Sequence, residues 1–253
     1  MLQNRRIDTQ RVLEKLNELF AVNDTAKALQ HLHYWLSEAE AAKDDRAILL
    51  FYNELMGLYR KLGEKARATE YAQKALAQTE KMNIGQNVGA ATTYLNCATV
   101  YKAFERAADA LSLYEKAREI YERELDGSDD RLAGLYNNTA LALVDLARFD
   151  EADELYKKAL AVLQENEGSE PEQAITYLNM ASAAEAEHGL EAAQEKIDLC
   201  AQKATALLEK CRGQTDGNYA FVCEKCASVF GYYGYFMYAK QLNERSRRIY
   251  EGN

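Results

Sequence analysis

Proline occurs once in 253 residues, at Pro171, tryptophan once, at Trp35, and histidine three times. A chain with one proline and no Ser/Gly-rich linker has little to interrupt its helices or to separate independent cores, so a single domain over 1–253 is expected. No run approaches the roughly 18 apolar residues of a membrane span, and no membrane partner is expected. The opening Met1–Asp8 lacks the apolar core of a secretory signal. Cations are scarce as well: 31 Lys and Arg against 40 Asp and Glu give a net charge of −9, which argues against a nucleic-acid groove. Five cysteines, an odd number without small-domain spacing, fit a reducing, cytoplasmic setting. What remains is dominated by Ala, Leu, Glu, Lys and Gln, all good helix formers.

Those residues are arranged in repeats. Around the centre of the chain, Tyr136, Thr139, Ala140 and Leu143 fall at i, i+3, i+4 and i+7, one face of a helix. A polar corner follows at Ala147–Asp150, and Ala152, Tyr156 and Ala159 then repeat the spacing. Tyr136 and Ala152 have counterparts 42 residues upstream at Tyr94 and Ala110, and 42 further at Tyr52 and Ala68. Downstream, Tyr177 and Ala193 lie 41 residues later, and Cys223 and Ala239 another 46. Both landmarks shift together at each step, which marks a repeated helical hairpin.

The run Tyr52, Leu55, Met56, Tyr59, Gly63, Ala68, Ala72, Ala75, and the later Cys226, Ala227, Phe230, Gly234, Ala239, resemble the tetratricopeptide repeat family. A period near 42 with an Asn on the first helix looks most like the kinesin light chain subgroup. The resemblance covers Leu49 onward well and the first 45 residues loosely; no unit has Trp at its first large position. It implies an all-α, right-handed solenoid of about six stacked hairpins that binds protein or peptide along its concave wall. Capping signals place these hairpins near 5–43, 46–82, 88–125, 129–166, 170–211 and 216–252. Asn23-Asp24, Asp44-Asp45, Asp126–Asp130, Gly168–Pro171 and Gly213–Gly217 supply the breaks and caps. In the first hairpin Val12, Leu16 and Leu19 face Ala28, Leu32 and Trp35. The last must cap itself, through the Glu244, Arg245, Arg247 and Arg248 face.

Asparagine is what the fold leaves over. With the large residue numbered 4, Asn96, Asn138 and Asn179 all fall at position 6. At about 100° per residue this points almost opposite the packing face, onto the concave wall of a stacked array. Mid-helix Asn is about 0.5–0.7 kcal/mol worse than Ala, and no stability role is evident for three in register. An amide offers both donor and acceptor to an extended backbone, and in proteins similar to this one Asn at that position contacts bound peptide. The alternative is a duplicated Tyr-Leu-Asn at 94–96 and 177–179. Neighbouring wall positions add Asn53, Arg60, Thr99, Lys102, Asn137, Ser182, Glu185, Lys225 and Tyr232. The Lys/Asn array by which similar proteins clamp acidic chaperone tails is not found.

No cofactor, metal or catalytic group is expected. Cys97, Cys223 and Cys226 occupy repeat positions 7, 4 and 7, where cysteine packs as a small hydrophobe. His31 and His33 are i, i+2 and face different ways, and His188 is expected in a turn. Gly231-Tyr-Tyr-Gly234 lacks the Lys and Ser/Thr of a phosphate loop. The landmark tyrosines fill core; Tyr232, Tyr233, Tyr235 and Tyr238 either seal the C-terminal end or offer a surface for homo-oligomers. The sequence thus describes a non-catalytic peptide-binding module, with a peptide-responsive regulator or a self-associating scaffold as alternatives.

Overall fold

The computed structural model describes residues 6–21 and 24–252; Asn23, half of one expected cap, lies outside them. Among the described residues the secondary structure is entirely helical, as six antiparallel hairpins in two compact units. Unit 1, ending at Glu124, holds α1 (Thr9–Ala21), α2 (Thr25–Ala42), α3 (Asp45–Lys61), α4 (Lys65–Lys81), α5 (Val88–Ala103) and α6 (Ala107–Glu124). Unit 2, beginning at Leu125, holds α7 (Asp130–Asp145), α8 (Phe149–Gln164), α9 (Glu170–His188), α10 (Leu190–Lys210), α11 (Gly217–Tyr232) and α12 (Phe236–Glu251). Each helix packs on its hairpin partner, α2, α4 and α8 then meet the first helix of the next hairpin in their unit, and α11 packs on α9, the stacking of an α-solenoid.

Local chemistry sets the helix starts. Asp24, Asp44, Asn87, Asp129 and Asp216 each accept a backbone N–H from the first turn of the helix they precede. At the start of α9 the hydroxyl of Ser169 instead donates to the carbonyls of Leu163 and Asn166, which closes the preceding turn. Pro171 follows in the first turn, where its missing N–H removes no helical bond. The hairpin corners need one residue in the left-handed region. It is Gly63, Glu105, Ala147, Gly189 and Gly234 in successive hairpins, with φ between 56° and 86°. Glycine adopts this conformation freely, whereas Glu105 and Ala147 are strained there by about 1–2 kcal/mol.

Packing explains the landmarks. Ala68, Ala110, Ala152, Ala193 and Ala239 are all buried, so paired backbones approach closely at the same point of each repeat. The large fully buried side chains Tyr114, Tyr121, Tyr156, Phe51 and Phe230 fill the space beside them. Burying one side chain of that size contributes about 1.5–3 kcal/mol. The position-4 tyrosines gain a cation above the ring: Lys116 over Tyr94, Lys158 over Tyr136 and Lys203 over Tyr177, at 5.9, 5.7 and 4.9 Å.

Two expectations are corrected. Leu36, not Trp35, is the buried residue of that turn of α2, because an indole half-covers the edge of a first hairpin while the leucine points inward. His188 is not in a turn: it is the last residue of α9, with Gly189 taking up the corner.

Candidate functional site

The first helices of the hairpins carry the expected wall residues, and the structure sorts them into separate places. In unit 1, Asn53, Arg60, Asn96 and Thr99 line a hollow of about 220 Å3 with Phe20, Glu54, Gly57 and Lys61. Burial lowers the Arg60 pKa and raises that of Glu54, the latter opposed by Lys61. The amides here are occupied. Asn53 donates to the Leu49 carbonyl at 2.9 Å and to Thr93 Oγ1 at 3.2 Å, and its Oδ1 accepts from Asn96 Nδ2 at 2.9 Å. Asn96 therefore does hold two hairpins together, a stability role its spacing does not reveal.

In unit 2, Asn137 repeats the fastening: its Nδ2 donates to Thr176 Oγ1 at 2.7 Å, and Thr176 donates in turn to the Glu172 carbonyl. In both units the amide at position 5 meets the threonine at position 3 of the following hairpin. The second half of the bridge is missing here. Asn137 Oδ1 is buried with no hydrogen-bond partner, and Asn179, the counterpart of Asn96, makes no side-chain hydrogen bond among the described residues.

These amides line a groove of about 420 Å3 formed within unit 2. One wall is a stripe of α7, Asp130, Ala133, Gly134, Asn137, Asn138 and Leu141, at i, i+3, i+4, i+7, i+8 and i+11. The floor is Glu172, Ile175 and Asn179 of α9, and Asn218 and Lys225 of α11 stand opposite. The loop residues Glu167 and Asp216 close its end. Leu141 and Ile175 are half-buried and give it an apolar base. Asn137, Asn138, Asn179 and Lys225 are thus brought together, as four of the expected wall residues.

Ser182, Glu185 and Tyr232 lie elsewhere. Tyr232 and Tyr233 both donate to the Glu185 carboxylate, at 2.6 and 2.8 Å, and Ser182 Oγ, itself bonded to the Leu178 carbonyl, lies 3.4 Å from the Tyr233 hydroxyl. Tyr235 donates to Asp198, and Tyr238 to Glu209 at 2.9 Å, so the C-terminal tyrosines fasten the last hairpin to the one before it. Lys102 lines neither the unit 1 hollow nor the unit 2 groove.

All five cysteines are buried and free, Cys97, Cys223 and Cys226 at the packing positions their register indicates. Burial pushes the Cys97 and Cys226 thiols up to about 12. Among the described residues no group of three His, Cys, Asp or Glu could hold a metal ion, and no helix is long and apolar enough to cross a membrane.

Sequence reading passed over Gly134, Leu141, Ile175 and the acids Asp130, Glu167, Glu172 and Asp216. Following the outer stripe of α7 in both directions from Asn138 would have found the first two. The acids look like ordinary first-turn and capping residues until three helix starts are stacked.

Residues 46–123 and 132–171 each match the family described as Tetratricopeptide repeat. Relatives include a clustered mitochondria protein homolog of Debaryomyces hansenii, 28% identical over 120 residues, 47% of this chain and 9% of that protein. The Candida albicans homolog is 25% identical over 152 residues, 60% of this chain and 10% of that protein. The chain spans about a tenth of the length of these relatives. Similar solved structures include a Podosopora anserina protein described as a kinesin light chain with nearly identical TPR-like repeats. It is 19% identical with TM-score 0.54, covering 79% of this chain and 94% of that one. BtubC (BKLC) from P. vanneervenii is 19% identical with TM-score 0.55, covering 94% and 91%. A Rap protein complexed with competence and sporulation factor is 15% identical with TM-score 0.55, covering 94% and 73%. At these identities the structures share the fold alone.

Proposed function

We propose that this chain, which belongs to the tetratricopeptide repeat family, is a non-catalytic binding module that holds an extended peptide segment in the groove of unit 2. The family supports a protein-interaction role in general terms. The groove is supported by one observation above the rest: Asn137 Oδ1 is buried and unpartnered in the wall where Asn138 and Asn179 also leave their amides unspent. A buried acceptor without a partner costs about 1–3 kcal/mol, and a bound backbone N–H would recover that. Gly134 adds to the reading. It lies in α7 where an added Cβ would meet nothing within 4 Å, so packing does not require it. A helical glycine costs about 1 kcal/mol relative to alanine and leaves the backbone open to an approaching strand.

Two of the three histidines are spent on structure, which favours binding over catalysis. His31 Nε2 lies 3.0 Å from the Val12 carbonyl, and His33 sits between the Tyr59 and Tyr71 hydroxyls. Five buried free thiols fit a reducing, cytoplasmic setting.

The test uses Gly134→Trp, which fills the groove from a position with free space. Captures from the native host's lysate by wild type and variant are compared after both are shown to melt alike. Loss of specific captured proteins with Gly134→Trp is the expected result; an identical set from both would sink the groove reading.

A second reading, self-association through the C-terminal hairpin, is favoured by the exposure of Phe236 and Met237, at 70% and 74%. Sedimentation equilibrium over a range of concentrations decides it, a constant monomer mass removing it.

A further inference from the structure

We propose that the hollow of unit 1 is a second binding site, separate from the unit 2 groove, and that it seats an extended peptide segment carrying an acidic and a basic side chain two residues apart.

The site is a gap in the surface of α3. Gly57 stands midway in sequence between Glu54 and Arg60, and all three line the hollow of about 220 Å3. An added Cβ at Gly57 would meet nothing within 4 Å, so no neighbour requires a glycine there, and a helix interior does not favour one. Its effect is to leave helix backbone uncovered between a carboxylate and a guanidinium. Residues six apart are separated by about 9 Å along a helix axis and by about 120° around it, with Gly57 halfway on both counts. Glu54 and Arg60 therefore border the gap from either side, and no ion pair joins them.

Neither charge is spent on the fold. Among the described residues Glu54 and Arg60 make no side-chain hydrogen bond and no ion pair, although both are half-buried. Lys61 acts on Glu54 from beyond ion-pair distance, and its ammonium stands over the Phe20 ring at 5.7 Å. Most half-buried charges of the chain do find a partner. Asp45 pairs with Lys81 at 2.6 Å and Asp153 with Lys157 at 2.9 Å, and Glu185 accepts from Tyr232 and Tyr233. Arg118, Glu170 and Glu244 are the other exceptions, and no two of these share a helix. Only in α3, among the described residues, do two such charges of opposite sign share a helix and line one hollow.

The pair sets the chemistry of the ligand. Burial already shifts both groups toward their neutral forms, and an opposite charge brought to each would offset that cost. A ligand of one sign would satisfy one group and repel the other, whereas a ligand of both signs satisfies both. A hollow of about 220 Å3 is too small for a helix about 10–12 Å across. An extended strand rises about 3.3 Å per residue and puts side chains i and i+2 on one side, about 6.6 Å apart. Long acidic and basic side chains at that spacing reach groups about 9 Å apart.

The test selects peptides from a randomised library on the full chain. Five variants are carried alongside: Glu54→Gln, Arg60→Gln, Arg118→Gln as the control for an unpaired half-buried charge, Gly57→Trp and Gly134→Trp. The expected result is a class of captured peptides with an acid and a base two residues apart, bound as tightly by Arg118→Gln and Gly134→Trp as by wild type. Gly57→Trp should reject that class. Glu54→Gln and Arg60→Gln should each bind it at least about tenfold more weakly, and should melt no lower than wild type. Peptides rejected by Gly57→Trp that are neutral or carry one sign of charge would overturn the bipolar ligand. A captured set that no α3 variant weakens, no capture at all, or a lowered melting temperature in both charge variants would overturn the site. Peptides rejected by Gly134→Trp alone would belong to the unit 2 groove, and finding only those would likewise overturn the unit 1 site while leaving the groove reading in place.

Discussion

The amide of Asn96 donates to the Oδ1 of Asn53 at 2.9 Å and completes a bridge between two hairpins of unit 1. Asn179 stands at the same repeat position, yet Asn137 Oδ1 is left without a partner in unit 2. One residue type in one register is a fastener in one unit and an open group in the other. The stability of single variants should separate the two. Asn96→Ala strands a half-buried acceptor and should destabilise by about 1–2 kcal/mol. Asn179→Ala loses no such bond and gains helix propensity, so its effect should be near zero or stabilising by about 0.5 kcal/mol. Urea unfolding of the two variants and wild type measures the difference.

The corner residues make a second, opposite pair. Ala147 has φ of 56° and Gly63 has φ of 73°, at equivalent points of their hairpins. Ala147→Gly should stabilise by about 1 kcal/mol by removing left-handed strain, and Gly63→Ala should destabilise by a similar amount. Both are read from thermal unfolding, and no change in either would mean that the corners are set by contacts instead of backbone conformation.

Helical glycine gives a third. Since no atom would crowd a Cβ at Gly134, Gly134→Ala should raise stability by about 0.5–1 kcal/mol. Calorimetry on the purified chain checks this. The same variant keeps the groove nearly open, so peptide capture should survive Gly134→Ala and fail with Gly134→Trp.

His33 provides a pH signature. Burial, followed by the nearby charges of Arg67 and Lys74, lowers its pKa below the ordinary 6.5. The folded state therefore takes up its proton at lower pH than the unfolded state does. As pH falls through about 6.5 the unfolded chain binds the proton first, and the contribution of neutral His33 to stability is lost down to its folded pKa. His33→Gln should flatten the fall in melting temperature between neutral pH and the carboxylate range, leaving the acid limb in place. Identical profiles for wild type and variant would count against the assignment.

The last hairpin is held by charge. Arg245 donates to Glu209, which also accepts from Tyr238 at 2.9 Å. Although burial opposes it, these bonds from Arg245 and Tyr238 keep the Glu209 carboxyl below its ordinary range. Glu209→Gln should cost about 1–3 kcal/mol, because Arg245 is mostly covered and loses its counter-ion. Hydrogen exchange should quicken in α12 more than in α7 or α8.

The sequence by itself determined the hairpins. Tyr136 and Ala152 with their counterparts fix which helical faces must meet, since buried residues have to recur at helical spacing wherever they occur. Asp44, Asp129 and Asp216 fix where helices start, since a cap satisfies backbone N–H groups only a few residues away. These are local requirements, visible in a string of residues. The groove was only partly visible: the amides at Asn137, Asn138 and Asn179 stood out because helices do not favour them. Tertiary structure alone decided which amides were spent. Asn53 and Asn96 are 43 residues apart, and whether their side chains touch depends on small differences in how one hairpin lies on the next. It also decided that Asp130, Glu172 and Asp216, each a normal helix-start acid, line one groove together with Lys225. A charge pattern spread over three helices exists only after they are stacked, because distance in space, not in sequence, sets the field.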